Sequence, residues 1–203
     1  MASPASPIEA VASVVLDTSA AININATGYC SQLLGALPIK CLVSDALLAE
    51  LREGKRRGRH NLDDFEMLIE NGRIGVAALD SQAEASFETL VIGPASETLG
   101  DGEAATIALA LSLGAIPVID ERKATGLCAR KFPTLKLGCT LDLLAHPVTA
   151  ESLGAPRLKE AVLNALHRAR MRVPPHYEDW TVGLIGMKAA ASCRSLSRRA
   201  RGA

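Results

Sequence analysis

Short apolar runs and longer amphipathic stretches alternate along the chain, and this pattern predicts strands and helices in turn. Runs such as ASVVLD (12–17) and AIPVID (115–120) are rich in β-branched residues and have the length of buried strands. Thr18 or Ser19 is expected to cap the first helix, and Ser44 the helix that follows the second strand. The predicted strands are 12–17, 39–44, 73–79, 115–120 and 134–138, and the predicted helices are 18–28, 31–36, 45–58, 62–72, 81–93, 102–114, 121–132, 140–146 and 156–173.

Alternating strands and helices favour a parallel sheet with helices packed on both of its faces. We therefore predict an α/β fold with three layers, α/β/α, around a central and mainly parallel sheet. No strand-like run follows 147, so a helical C-terminal extension is expected beyond that point. The predicted domain (10–148) is followed by the helical extension (149–188) and by a basic, disordered tail (189–203).

Composition narrows the class of protein without identifying a partner. The 203 residues are 48% hydrophobic, which suits a folded domain with a sizeable core. The 22 Lys and Arg residues balance the 22 Asp and Glu residues, so the net charge points to no acidic or basic partner. The five cysteines form no Cys-x-x-Cys pair, which favours a reduced, cytoplasmic protein. Neither a signal peptide nor a membrane span is recognisable, so no membrane association is expected.

Three carboxylates are expected to meet at one edge of the sheet. Asp17 and Asp120 each close a predicted strand, and the carboxyl ends of parallel strands share one edge. Glu103 stands at the start of the helix that precedes the strand ending at Asp120. That helix is about 15 Å long, and the strand covers a similar length in the opposite direction after a tight turn at Gly114. Glu103 should therefore lie near Asp120.

A fourth acid should come from the helix after the second strand. Asp45 lies in its first turn and is slightly favoured by position, whereas Glu50 lies about 9 Å further along the axis and must reach back. Carboxylates gathered in this way repel one another unless a cation binds between them. Hard oxygen ligands suit Mg²⁺ or Mn²⁺, and the four scattered histidines offer no zinc pattern.

The same segments resemble the successive motifs of PIN domains. VVLDTSAAININATG (14–28), VSDALLAELREG (43–54), LGDGEAATIALALSLGAIPVIDERKATGLCARK (99–131) and LGCTLDLLA (137–145) follow the order and spacing of those motifs. The block from DGEAATIALA to VIDER is the most specific part of the likeness. It is similar to the bacterial and archaeal branch related to VapC-like toxins, in which Gly-Glu-Ala precedes an Ala/Leu-rich helix.

The resemblance implies a metal-dependent nuclease that acts on RNA, and it gives roles to the matching residues. Asp17, Glu103 and Asp120 resemble the metal-ligating catalytic acids. Glu50 resembles the catalytic acid borne by a helix, which overrules the positional preference for Asp45. The supporting residues implied in this way are Ser19, Asp101, Glu121 and Thr140.

The expected reaction is phosphodiester hydrolysis at one or two Mg²⁺ or Mn²⁺ ions, which lower the pKa of a bound water. Cys139 departs from the branch, which usually has glycine there, and this affects only the expected shape of the local loop. RNA is the expected substrate, an antitoxin protein is an expected partner, and a homodimer is expected because related domains commonly pair. The residues expected to follow the RNA backbone are Arg122, Lys123, Lys55 and Arg56, with Arg130, Lys131 and the remainder of 55–59.

Two other interpretations compete with this one. GDGEAA (100–105) fits the Gly-x-Gly-x-x-Ala pattern of dinucleotide-binding proteins, but no apolar strand precedes it, and Asp101 and Glu103 would repel a pyrophosphate. A PIN-like fold that is catalytically silent and binds nucleic acid or protein is the second alternative. The basic stretch CRSLSRRARGA (193–203) is compatible both with solvated surface and with nucleic-acid contact.

Overall fold

The computed structural model describes residues 3–57 and 63–202 and shows a β-sheet between layers of helices. The strands are β1 (Ser13–Leu16), β2 (Lys40–Ser44), β3 (Ile74–Ala77) and β4 (Ile116–Val118). The α-helices are α1 (Thr18–Ala26), α2 (Cys30–Ala36), α3 (Asp45–Arg56), α4 (Asp63–Glu70), α5 (Ser81–Val91), α6 (Asp101–Leu113), α7 (Arg122–Lys131), α8 (Thr140–Ala145), α9 (Pro147–Arg168), α10 (Glu178–Ile185) and α11 (Met187–Ala191). A short 3₁₀-helix covers Pro175–Tyr177. The predicted three-layer α/β fold is confirmed.

The sheet has the strand order β3-β2-β1-β4, and all of its strand pairs in the described residues are parallel. β1 lies in the middle, where it pairs with β2 on one side and with β4 on the other. Leu16, the last residue of β1, is in register with Val118, the last residue of β4. This register brings the segments that leave β1 and β4 to the same edge of the sheet.

Alternate residues of the strands face opposite helical layers, because successive side chains of a strand point to opposite faces. Val14 and Leu16 pack with α1, α2, α8 and α9 in the largest apolar cluster. Val15 faces the other way and packs with Leu42 against α5 and α6. Full burial of such side chains contributes roughly 1.5–3 kcal/mol each. Both faces of the sheet are therefore covered, as expected for a parallel sheet.

Two local predictions differ from the structure. The stretch 134–138 does not form a strand, and only Gly138 makes an isolated bridge with Val118 of β4. A β-carbon at Gly138 would lie 3.2 Å from Cγ2 of Ile8, so the backbone packs closely against this side chain. The N-cap of α1 is Asp17 and not the expected hydroxyl residue, because its carboxylate accepts the backbone N–H of Ala20. The predicted cap at Ser44 is confirmed.

The predicted extension packs into the main core. α9 crosses the predicted boundary at 148 and has a break at Gly154, where φ is 69°. It ends at Arg168 and not at 173, because Arg170 adopts a left-handed backbone with φ of 55°. The division into 10–148, 149–188 and 189–203 stays a prediction. No helix among the described residues, α9 included, is long and apolar enough to cross a membrane.

The C-terminal residues up to 202 differ from the loose tail that was expected. Ala190, Cys193 and Leu196 are buried in the largest apolar cluster. Glu178 accepts hydrogen bonds from the backbone N–H of Ser197 at 3.0 Å and from its hydroxyl at 2.9 Å. The apolar residues spaced between the arginines anchor this segment. Residue 203 lies outside the described residues.

Candidate metal centre

Asp17 and Asp120 leave neighbouring strands at the same edge of the sheet. Asp17 follows β1 directly, and its backbone N–H donates to the carbonyl of Val118 at 3.2 Å. Asp120 lies two residues beyond Val118, where the chain turns toward α7. Only 1% of Asp17 and 6% of Asp120 is exposed. Two carboxylates thus lie buried at the edge where open α/β folds bind ligands.

The Asp17 side chain is held by two neutral groups of its own helix. Its Oδ1 accepts the backbone N–H of Ala20 at 2.6 Å. The hydroxyl of Ser19 lies 2.8 Å from Oδ2 and 3.0 Å from Oδ1. Ser19, which was predicted to support Asp17, therefore contacts it directly.

The Asp120 side chain is held by donors from two other helices. The amide of Asn23 on α1 donates to Oδ2 at 2.6 Å. The backbone N–H of Thr140 donates to Oδ1 at 3.0 Å, and the Thr140 hydroxyl donates to Oδ2. Arg172 approaches from the C-terminal segment, but its guanidinium donates to the main-chain carbonyl of Asp120, at 3.2 Å. Asp120 is thereby fixed in position without an ion pair to its carboxylate.

Burial and mutual repulsion disfavour the ionised forms of both aspartates. The pKa of Asp17 is raised to about 8, first by burial and then by the charge of Asp120, with a smaller contribution from the charge of Glu103 and against the hydrogen bonds from Ala20 and Ser19. Burial also raises the pKa of Asp120, against the hydrogen bonds from Thr140 and Asn23 and the nearby charge of Arg172. Such pairs of perturbed carboxylates are typical of functional sites.

Glu103 lies in the first turn of α6 and belongs to the same group of charges. Its carboxylate accepts the backbone N–H of Gly100, which lowers its pKa. Burial nevertheless raises the pKa of Glu103 overall, with contributions from the charges of Glu121 and Glu50. The left-handed Gly114 ends α6 and reverses the chain into β4, so α6 begins at the edge where β4 ends. The expected proximity of Glu103 to the two aspartates follows from this turn.

Glu50 reaches this group from α3, whereas Asp45 does not. The hydroxyl of Thr18 donates to Oε2 of Glu50 at 2.5 Å. The Glu50 carboxylate lies over the backbone of Gly102, where a β-carbon would stand 2.7 Å from Oε1. Asp45 instead accepts the backbone N–H of Ala46 in its own helix. A cleft of about 320 Å³ opens beside Glu50 and Thr18.

The carboxylates do not form a closed metal site as they stand. In the parts of the chain that the structure describes, no three His, Cys, Asp or Glu side chains are arranged to hold a metal ion. Glu103 and Glu50 each accept a hydrogen bond from a protein donor. The expected ligand set of Asp17, Glu103 and Asp120 would require the Glu103 side chain to turn.

The two aspartates nevertheless suit a hard cation. Counting two lone pairs on each carboxylate oxygen, Oδ2 of Asp17 and Oδ1 of Asp120 each keep an acceptor position beyond the hydrogen bonds described. No Lys, Arg or His among the described residues forms an ion pair with either carboxylate. Mg²⁺ needs only one or two carboxylates because it keeps several waters. The residues present therefore fit Mg²⁺ or Mn²⁺.

The remaining supporting residues divide between this group and the surface. Thr140 contacts Asp120, and Glu121 acts on Glu103 through its charge. Asp101 is exposed at the start of α6, and no hydrogen bond in the described structure joins it to the other acids.

The predicted RNA-binding residues lie in two different environments. Lys123 is in the first turn of α7, and its charge lowers the pKa of Glu103, so Lys123 and the adjacent Arg122 border the acids. Lys55 is paired with two carboxylates at 2.6 and 2.8 Å, and Arg56 is paired with Glu53 at 3.0 Å. Lys55 and Arg56 are thus already paired within the protein.

Other basic residues of the prediction bind backbone carbonyls. Arg130 donates to Gly126 at 3.1 Å, and Lys131 donates to Thr89 at 2.7 Å. Arg59 lies outside the described residues.

Sequence reasoning missed three residues that shape the site. Asn23 has no sequence signal, because polar residues lie on all sides of the α1 sequence TSAAININA. Gly102 was treated as part of a helix boundary, although its missing β-carbon makes room for Glu50. Arg172 lies far beyond the motifs and reaches Asp120 only through the folding of the C-terminal segment.

The segment 100–105 does not have the context of a dinucleotide-binding motif. The residues before it, 92–99, form no strand. The glycines instead precede and begin α6, where Glu103 accepts from the backbone. This removes the structural basis for that alternative.

Comparison with known proteins agrees with the fold. A family model described as a PIN domain matches residues 13–180, which include the segments that carry the predicted likeness and C-terminal helices that follow them. PIN domains are generally nucleases and typically use divalent metal ions. A search of curated proteins gives no match. With four-fifths of its length matched and a parallel three-layer fold, the chain belongs to the PIN domain family.

Proposed function

We propose that the protein is a metal-dependent ribonuclease that hydrolyses phosphodiester bonds. The observation that carries the proposal is the pair of buried aspartates, Asp17 and Asp120, which share one edge of the sheet and form no ion pair with any Lys, Arg or His that the structure describes. Burying two like charges is costly unless they are neutralised. A divalent cation bound between them would remove that cost.

The protein would hold such an ion with residues that are already oriented. Asp17 and Asp120 are the proposed ligands, and Glu103 would join them after releasing the Gly100 N–H. The bound Mg²⁺ or Mn²⁺ would lower the pKa of a water and offset charge on the phosphate. Glu50 faces the adjoining cleft, where its exposed carboxylate would orient the attacking water or accept its proton.

Hydrogen bonds within the protein keep this arrangement rigid before substrate binds. Ser19 and the Ala20 N–H fix Asp17, while Asn23 and Thr140 fix Asp120. Carboxylates held in this way need little reorganisation when charge develops at the phosphate. Arg122 and Lys123 border the acids and would contact the phosphates of bound RNA.

RNA as the substrate, and a toxin role with an antitoxin partner, rest on the resemblance to the VapC-like branch. A homodimer and a cytoplasmic location belong to the same proposal. A small protein encoded in the neighbouring reading frame would support the toxin role. Co-purification of that small protein with this chain would test the toxin role.

A catalytically silent PIN-like binding module is the second candidate. The direction of the Glu103 carboxylate toward Gly100 and the lack of a closed metal site in the described residues favour it. In that case the acids would serve only to shape a surface.

Cleavage of mixed RNA by purified protein with Mg²⁺ separates the two candidates. The parent protein should cleave, and both EDTA and Asp17→Asn should abolish cleavage. Asparagine retains an oxygen for the N-cap of α1, so Asp17→Asn is expected to fold. Equal cleavage by parent and variant would indicate a contaminating nuclease, and lack of cleavage by the parent across diverse RNAs would favour the binding module.

A further inference from the structure

A cavity with basic walls lies at the C-terminal end of α9. Its volume is about 560 Å³, and its lining includes Arg170, Arg194 and His167 together with the hydroxyls of Ser192 and Ser195. No carboxylate is among the residues that line it. Guanidinium and hydroxyl groups without a competing carboxylate are the donors that bind phosphate.

The positive charge of this region comes from two stretches of the chain. The segments 161–177 and 180–202 contain no Asp or Glu, although the chain as a whole is neutral. The arginines and lysine in them are Arg168, Arg170, Arg172, Lys188, Arg194, Arg198, Arg199 and Arg201. In the part of the chain that the structure describes, none of these forms an ion pair with a carboxylate. Lys55 and Arg56, in contrast, are both paired with carboxylates.

The walls of the cavity are fixed to the core. Leu166 and Cys193 line it and are buried in the main apolar cluster, as is the neighbouring Leu196. Burial raises the pKa of the Cys193 thiol, and the charge of Arg201 opposes this shift, which places Arg201 beside the cavity wall. The cationic groups are thus carried on a rigid base and not on a loose tail.

The backbone at Arg170 is unusual for a charged residue. Among the described residues, Arg170 alone of the non-glycine residues has a positive φ, at 55°. Glycine or asparagine normally occupies the left-handed position after a helix. An arginine that keeps this backbone conformation, with its guanidinium at a cavity, is consistent with use of the side chain for binding.

A short piece of chain connects the cavity with the edge of the sheet at Asp120. Arg172 donates to the main-chain carbonyl of Asp120 at 3.2 Å. Arg170 is two residues away, and two residues span at most about 7 Å. The chain that carries Arg170 therefore continues directly to the residue that contacts the edge of the sheet at Asp120.

We propose that this cavity binds phosphate groups of the RNA backbone. The inference rests on the proposed function, because it takes RNA to be the substrate. Arg170 and Arg194 would each contact a phosphate, and the Ser195 hydroxyl would donate to its oxygens, whereas the Ser192 hydroxyl donates to the carbonyl of Ala189 at 2.9 Å.

Binding of a fluorescent 12-nucleotide single-stranded RNA to the full chain, measured by anisotropy in EDTA over a series of salt concentrations, tests the proposal. Each phosphate contact contributes about −0.7 to the slope of log K against log salt. The variant Arg170→Asn with Arg194→Gln should reduce the magnitude of the slope by about 1.4. Asparagine is chosen because it tolerates the left-handed backbone. Arg73→Gln with Arg157→Gln removes two exposed arginines elsewhere and should leave the slope unchanged.

Unchanged binding by the double variant, or an equal loss in the control pair, would overturn the proposal. Arg194→Glu alone repeats the test without altering Arg170, in case Arg170→Asn unfolds the protein, and it should weaken binding. Because EDTA prevents metal-dependent cleavage, binding is judged apart from catalysis. RNA binding that depends on the cavity, without cleavage in Mg²⁺, would sink the nuclease proposal and leave this one standing. Cleavage in Mg²⁺ with an unchanged KM in the double variant would sink the cavity proposal and leave the nuclease proposal standing.

Discussion

The carboxylate of Glu50 occupies the space above Gly102 that a side chain would fill. A β-carbon at this position would stand 2.7 Å from Oε1 and 2.9 Å from Oε2 of Glu50. This contact joins α3 to the first turn of α6, one residue before Glu103. The glycine of the Gly-Glu-Ala motif therefore has a steric role in bringing two acids together.

Gly102→Ala is expected to displace Glu50 and lower the rate of RNA cleavage while leaving the fold intact. Alanine is more favourable than glycine within a helix by roughly 0.5–1 kcal/mol, so the free energy of unfolding in urea should not fall. Gly126→Ala in α7 is the matched control, since its β-carbon would meet only Nη1 of Arg130, at 3.8 Å. Full activity in Gly102→Ala would show that the position of Glu50 is unimportant.

Metal-free protein should lose stability as the pH rises because of Asp17. Its pKa in the folded state, about 8, lies above the ordinary value of 3.8. The folded state thus binds the proton more tightly, so this contribution is complete below about pH 4 and is lost as the pH rises through 8. Thermal unfolding in EDTA should show Asp17→Asn gaining stability relative to the parent between pH 5 and about pH 9.

Mg²⁺ should restore the stability that the metal-free parent protein loses as the pH rises. Metal ligation requires ionised carboxylates, so the rise in Tm on adding Mg²⁺ should be larger at pH 8 than at pH 6. Asp17→Asn should show little rise at either pH. A rise of equal size in both proteins would place the ion elsewhere.

Much of the fold could be predicted because its signals are local. Buried strands were marked by short β-branched runs, and Ser44 and Gly114 marked a helix start and a helix end. The stretch 134–138 has a strand-like composition, but only Gly138 pairs with β4. The C-terminal residues were read as a tail from their charge, whereas Cys193 and Leu196 between the arginines anchor them in the core.

Asn23→Ala is expected to lower RNA cleavage about 10- to 100-fold, which is the usual cost of losing a residue that orients a metal ligand. The Asn23 amide donates to Oδ2 of Asp120 at 2.6 Å, and alanine removes that donor. Asn164→Ala is the control, because it also removes an amide donor, but a half-buried one directed to the carbonyl of Thr27. Similar cleavage rates in the two variants would rule out an orienting role for Asn23. Parallel measurement of Mg²⁺ affinity would separate orientation from loss of fold.

Asp142→Asn should destabilise the protein by about 1–3 kcal/mol, the cost of leaving a buried donor without its acceptor. The Asp142 carboxylate accepts from the hydroxyls of Ser6 and Tyr177 at 2.5 and 2.9 Å and from the Cys139 N–H at 2.7 Å. An asparagine would turn an NH₂ group toward one of these donors. Urea unfolding measures the change, and Asp45→Asn, at an exposed carboxylate, should stay within about 0.5 kcal/mol of the parent. Equal stability of the two variants would contradict this account.

The site was only partly predictable, for a physical reason. Asp17 and Asp120 follow strands directly, so the parallel topology alone brings them to one edge. Asn23 and Arg172 depend on how α1 and the C-terminal segment pack against that edge, which no local pattern reports. The direction of the Glu103 carboxylate toward Gly100 is likewise set by the backbone at the start of α6.

Burial of apolar residues on both sides of the matched family range, 13–180, means that the folding unit is longer than that range. Ile8 precedes that range, while Cys193 and Leu196 follow it, and each is at most 3% exposed. Removing apolar side chains of this size from a core costs roughly 1.5–3 kcal/mol apiece, against a total stability of about 5–15 kcal/mol for a typical domain. A fragment trimmed to the family limits would expose apolar surface at both of its termini and should aggregate. Every carboxylate of the candidate metal centre would nevertheless still be present in that fragment.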